Sequence, residues 1–202
     1  MITVGLCGGS GSGKTLLCGI LKEQGISAYD CDAAYHEMIS SDSPVTRELV
    51  SVFGEGILSE GGGIARSRLA EIVFSKENGE ALRRLNEITH RHVKEHCLAW
   101  LDGMRKHGAA AAVVDAPLLF EAGFDVFCDL TVALIAPREA RIARITERDG
   151  IDRSSAERRL DSQASDEVLR QRADLILRND GDEASLRRQA EQLLLKIKEC
   201  TP

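Results

Sequence analysis

The sequence predicts an α/β fold: a five-stranded parallel sheet flanked by helices, with a helical insertion and a second, charged helical segment. Three observations predict it. Short β-type runs alternate with longer helical patterns, which argues for a sheet covered by helices. Each run is bounded by turn-forming or charged residues. A chain of 202 residues with 43% hydrophobic and 29% charged residues has the size and composition of one globular domain able to bury a substantial core.

The strands are expected at Ile2 to Cys7, Ile26 to Tyr29, Ala110 to Asp115, Leu130 to Ala136 and Asp174 to Leu177. A helical run, Leu16 to Glu23, follows the first. Between the second and third lies a long helical stretch from Ala33 to His107, broken by Ser59-Glu60-Gly61-Gly62-Gly63, which reads as an inserted lobe. Arg138 to Arg172 carries Arg and Glu at helical spacing with few large apolar residues, so it should project from the core as a lid. Glu183 to Glu199 reads as a final amphipathic helix. One domain therefore divides into a core (1–32, 108–137 and 173–202), a helical lobe (33–107) and a lid region (138–172).

The formal net charge of −6 argues against general affinity for nucleic acid or anionic lipid. Nineteen arginines against seven lysines suit forked recognition of phosphate or carboxylate. Six cysteines, at 7, 18, 31, 97, 128 and 200, form no CxxC pair, so a reducing cytoplasm is expected rather than a disulfide framework or zinc knuckle. No basic leader with an apolar stretch and no apolar run of ~18 residues is present, so neither secretion nor membrane insertion is expected. His92 and His96, four apart with Cys97 beside them, lack a third and fourth metal ligand and read as a solvated or locally hydrogen-bonded helix.

The most informative residues are Gly8-Gly9-Ser10-Gly11-Ser12-Gly13-Lys14-Thr15, a full phosphate-loop pattern between a strand and a helix. The glycines let backbone N–H groups close around phosphate oxygens at a helix N-terminus. Gly9, Ser10, Gly11, Ser12 and Gly13 are the expected cradle, Lys14 reaches the β- and γ-phosphates, and the Thr15 hydroxyl sits on Mg²⁺. The chain is thus expected to have a phosphate-loop NTPase core that binds a nucleoside triphosphate.

The carboxylates decide between transfer and switching. Asp32 follows the second strand, whose C-terminal end should face the ligand crevice. It is either the base that accepts the acceptor hydroxyl proton or the N-cap of the helix beginning near Ala33, and beside a phosphate loop the first reading leads. Asp115 ends the third strand and either joins the Mg²⁺ shell through water or caps the turn at Ala116-Pro117. In the lid, Arg141, Arg144 and Arg148 share one helix face. Glu139, Glu147 and Glu157 offer salt-bridge partners for most of the lid arginines, and Arg148 is singled out as the one serving phosphoryl transfer.

These residues carry a close resemblance. The run from 5 to 15, Asp30-Cys31-Asp32, Phe53-Gly54, Arg66 with Leu69, Val73-Phe74 and Asp115-Ala116-Pro117-Leu118-Leu119-Phe120-Glu121 resemble, in order, the motifs of the dephospho-CoA kinase family. Arg144, Arg148-Asp149, Arg159 with Gln163, Ala173-Asp174 and Asn179 continue the series. The resemblance implies transfer of the ATP γ-phosphate to the ribose 3′-hydroxyl of dephospho-CoA, giving CoA and ADP. It implies Asp32 as base, Arg148 as the lid arginine, and Asn179 beside the adenine. Arg66, His90, Leu118, Phe120 and Glu121 join Asp32 on the acceptor, in a cytoplasmic monomer or small homo-oligomer with no nucleic-acid or membrane partner. Cys31 stands where the family has a small Ala, Arg91 where Pro is expected after His90, and Arg141 where Gln is frequent. A different small-molecule kinase would share the loop, base and lid and differ in the lobe; a guanine-nucleotide switch would favour an Asn-Lys-x-Asp segment, which is absent.

Overall fold

A computed structural model describes residues 1–75 and 79–199. Its five strands are β1 (Ile2–Cys7), β2 (Ser27–Asp30), β3 (Ala111–Asp115), β4 (Leu130–Ile135) and β5 (Leu175–Arg178), in one sheet of order β2-β3-β1-β4-β5. β1 pairs in parallel with both β3 and β4, and β4 with β5. All five sit within one residue of the expected runs at each end. The helices are α1 (Lys14–Glu23), α2 (Cys31–Met38), α3 (Pro44–Phe53), α4 (Arg66–Val73), α5 (Gly79–Lys106), α6 (Arg138–Asp149), α7 (Arg153–Asp161), α8 (Asp166–Arg172) and α9 (Glu183–Glu199). The chain forms two compact units, Met1–Tyr29 with Leu101–Pro202, and Asp30–Trp100.

The first unit is built on the sheet. β1 and β4 are buried along their whole length, as the continuous apolar runs of a parallel sheet covered on both faces require. Leu17, Ile20 and Leu21 of α1 pack with Ile2, Val4 and Leu6, and α9 adds Leu186, Ala190, Leu193 and Ile197 at helical spacing to the same core. Asp174, just ahead of β5, accepts hydrogen bonds from the Thr131 amide (2.8 Å) and hydroxyl (2.6 Å), joining the starts of β4 and β5. These bonds hold the Asp174 carboxyl below its usual range. Leu134, fully buried in β4, is a direct test of this core: Leu134→Ala should cost about 2–5 kcal/mol in urea unfolding, and a loss under about 1 kcal/mol would contradict the packing.

The second unit has its own core of Ile39, Val45, Leu49, Ile57, Ile64, Leu69, Val73, Ala81 and Ile88. Its helices begin on local signals. Asp30 caps α2 by accepting from the Ala33 amide at 2.9 Å, and Ser43 caps α3 by accepting from the Thr46 amide at 3.1 Å, with Pro44 in the first turn. The expected break at Ser59 to Gly63 is a tight turn closed by an antiparallel bridge between Leu58 and Ile64. α5 continues without interruption through Arg91 and ends in the first unit. The lobe was expected over 33–107; the compact unit is Asp30–Trp100.

The segment from 138 to 172 has a small core of its own, Ile142, Ile145, Ala156 and Leu160, separate from the sheet core, and Arg141 is buried. Its low mean hydropathy hides this because the apolar residues are few but fall on one face of each helix.

Candidate active site

β1 is the central strand, with the strand order running one way through β3 and β2 and the other through β4 and β5. The loop leaving its carboxyl end therefore lies at the switch point where ligands bind in open α/β sheets. Residues 8–13 form that loop, and α1 starts directly at Lys14. Gly13 is the N-cap with φ +100, and no side chain caps the helix. The first amides of α1 therefore lack both an intrahelical acceptor and a capping side chain, the arrangement that binds phosphate oxygens. The Ser12 hydroxyl oxygen is buried and has no hydrogen-bond partner among the described residues. An orphaned buried hydroxyl beside an uncapped helix start fits a polyphosphate ligand.

Lys14 Nζ donates to the Gly8 carbonyl at 3.1 Å and lies 3.7 Å from Asp115 Oδ1, both side chains 13% exposed. The expected cation and the expected strand-end carboxylate are thus together. Thr15 is exposed in the first turn of α1. Its hydroxyl and the Asp115 carboxylate are hard oxygen donors, which suits Mg²⁺ with phosphate and water completing the octahedron. Among the described residues no group of three His, Cys, Asp or Glu side chains could hold a metal, so the cation would take most ligands from the nucleotide and water. Cys7, at the end of β1, has its thiol pushed up to about 12 by burial and is no nucleophile at neutral pH.

α6 and the α7–α8 junction bring more side chains to the loop. Arg141 Nε donates to the Ser10 carbonyl at 2.9 Å. Gln163 Oε1 accepts from the Ser10 amide at 2.9 Å, and Gln163 Nε2 reaches the Ser10 hydroxyl at 2.9 Å. Arg144 donates to the Gly11 carbonyl at 3.0 Å. Asn179, expected beside the adenine, is 5% exposed and its side-chain amide donates to the Ser12 carbonyl at 2.8 Å. Gly9 and Gly13 are glycines for a reason the motif does not state. A Cβ on Gly9 would meet Arg141 and Gln163, and one on Gly13 would meet Asn179. Arg148 is different: it is exposed and pairs with Asp149 at 2.7 Å, and Arg159 pairs with the same carboxylate. Arg148 and Arg159 hold the Asp149 carboxyl down to about 2. Arg153 takes Glu139 and Glu157, as the solvated reading expected.

The segment after β3 carries three expected acceptor residues. Leu118 and Glu121 are exposed, whereas Phe120 is buried with the Arg172 guanidinium 4.4 Å from its ring centroid. In the second unit, Asp32 is exposed in the first turn of α2. The N-cap role considered for it belongs to Asp30, because the helix begins two residues earlier than expected. Arg66 is exposed at the start of α4, and its charge opposes the upward push that burial exerts on the Tyr35 hydroxyl. His90 is half-buried on α5. His92 lies 2.7 Å from Glu48 and so binds α5 to α3. Cys200 lies outside the described residues.

A family model described as CoaE, dephospho-CoA kinase, matches residues 2–185. The chain belongs to the dephospho-CoA kinase family. A dephospho-CoA kinase of Salinibacter ruber is 40% identical over 195 residues, 96% of each chain. A solved dephospho-CoA kinase from Campylobacter jejuni superposes with a TM-score of 0.62 at 25% identity over 96% of each chain. A Thermus thermophilus crystal structure superposes with a TM-score of 0.82 at 30% identity, covering 96% of this chain and 97% of that one.

Against the dephospho-CoA kinase pattern, the three departures now have positions. Cys31 is buried at the start of α2, where a small side chain packs. Arg91, in place of proline, leaves α5 unbroken and grips Glu48 on α3, 2.6 Å from Oε2. Arg141, in place of glutamine, holds the phosphate loop. Gln163 was only one member of the motif series, and no local pattern connects it to Ser10, which lies 153 residues away.

Proposed function

We propose that the chain transfers the γ-phosphoryl group of ATP to the ribose 3′-hydroxyl of dephospho-CoA, releasing ADP and CoA. The observation that carries this reading is the uncapped start of α1 with Lys14 beside Asp115, in a chain of this family. Transfer to a hydroxyl needs little covalent help from the protein and much positioning and charge neutralisation. The loop amides and Lys14 hold the β- and γ-phosphates. Thr15, with Asp115 through water, would hold Mg²⁺, which when bound neutralises the phosphate oxygens and favours in-line geometry. Asp32 orients the 3′-hydroxyl and takes its proton as that oxygen bonds to phosphorus and the bond to the ADP oxygen breaks. Arg148, on leaving Asp149, neutralises charge on the group in flight.

Arg66, His90, Leu118, Phe120 and Glu121 are the proposed acceptor residues. Buried Phe120 acts by supporting its turn, whereas exposed Leu118 and Glu121 can touch the acceptor. The proposed setting is the cytoplasm, and among the described residues no helix is long and apolar enough to cross a membrane.

The test is ADP release from Mg·ATP by the purified chain with dephospho-CoA, AMP, a sugar panel or no acceptor, with mass spectrometry of the product. Release that depends on dephospho-CoA, with CoA formed, is the expected result. Release with a different acceptor would overturn the substrate, and slow release without any acceptor would overturn the transfer.

A further inference from the structure

Ser10 gives up every polar group it has to side chains of α6 and the α7–α8 junction. Its carbonyl accepts from Arg141 Nε, its amide donates to Gln163 Oε1, and its hydroxyl accepts from Gln163 Nε2. The Ser12 amide donates to the Gly9 carbonyl at 3.1 Å. Two loop amides are therefore spent inside the protein, which leaves phosphate recognition to the other loop amides and those at the start of α1. Arg141 is itself tied twice more, to Gln163 Oε1 at 3.1 Å and to Asp166 Oδ1 at 3.2 Å, with its side chain 9% exposed.

A cation buried to that degree is costly unless its donors are met, and a planar fork with three acceptors in place meets them. Burial does push the Arg141 pKa down while Asp166 opposes it. The absent Cβ at Gly9 is what lets the fork lie against the loop.

We propose that Arg141 and Gln163 are positioning residues that hold the phosphate loop in its nucleotide-binding shape before nucleotide arrives. Arg141 fixes the peptide that follows Ser10 and Gln163 the one that precedes it, so binding a diphosphate need not order the loop, and affinity is gained by removing that ordering cost. This rests on the proposed nucleotide function. The role is geometric, so a lysine at 141, which keeps the charge but not the fork, does not replace the arginine.

The test compares ADP, which fills the loop, with adenosine, which carries no phosphate. Arg141→Gln, Arg141→Lys and Gln163→Ala are each expected to weaken ADP binding about tenfold by calorimetry, as the cost of ordering the loop returns. Adenosine binding, followed by ligand-observed NMR, should stay within about twofold, because its site contains no phosphate contact. Thermal melting checks that each variant folds. Unchanged ADP affinity would overturn the inference. So would full ADP affinity in Arg141→Lys, which would mean charge rather than fork, or equal losses for ADP and adenosine, which would mean general damage. A wild-type chain that does not bind ADP would instead overturn the nucleotide function beneath it.

Discussion

Asp32→Asn is expected to lower turnover with dephospho-CoA by about two to four orders of magnitude, the usual contribution of a positioned general base. Binding of ATP should change little, because the loop amides and Lys14 belong to α1 and the loop before it, whereas Asp32 is a first-turn residue of α2. The substitution keeps size and hydrogen bonding while removing the ability to take a proton. Asp30 supplies the cap of α2, so Asp32→Asn leaves the helix start intact. Single-turnover measurements would separate chemistry from product release. Full turnover in Asp32→Asn would show that another group orients the hydroxyl, whereas a loss confined to the acceptor KM would assign Asp32 to binding alone.

Lys14→Ala should weaken ATP binding by roughly 10- to 150-fold, the range of a charge-assisted hydrogen bond, with a further loss in transfer as charge builds on the moving group. It also leaves the mostly buried Asp115 carboxylate without its neighbouring ammonium, which destabilises the fold independently of nucleotide. A double variant, Lys14→Ala with Asp115→Asn, separates the two effects. It should recover stability in urea but not ATP affinity. If nucleotide affinity in Lys14→Ala equalled that of the wild type, the phosphate-loop assignment would be wrong.

Much of this was legible in the residues. The five strands and the terminal helix follow from periodicity and turn residues, and their ends fall within one residue of where those signals place them. The loop is legible because eight consecutive residues encode both a backbone shape and a charge. Other features needed three dimensions. The choice between Asp30 and Asp32 as helix cap depends on where α2 begins, and helix starts are uncertain by a residue or two when several capping residues adjoin. Among the lid arginines, the 3.6-residue period put Arg141, Arg144 and Arg148 on one face but could not rank them. Packing brings Arg141 and Arg144 to the loop and leaves Arg148 on Asp149. Asn179 donates to the Ser12 carbonyl, a contact that no pattern around position 179 announces.

The sequence by itself determined the α/β class, the five strands, the phosphate loop and the family. Those are written in local patterns of glycine, charge and hydrophobic period, which act over a few residues. Only the tertiary structure decided how the loop is held, because its partners Arg141, Gln163 and Asn179 sit 131, 153 and 167 residues from the groups they bind. Hydrogen bonds across such separations depend on how helices pack onto the sheet, and packing of that kind leaves no pattern in neighbouring residues.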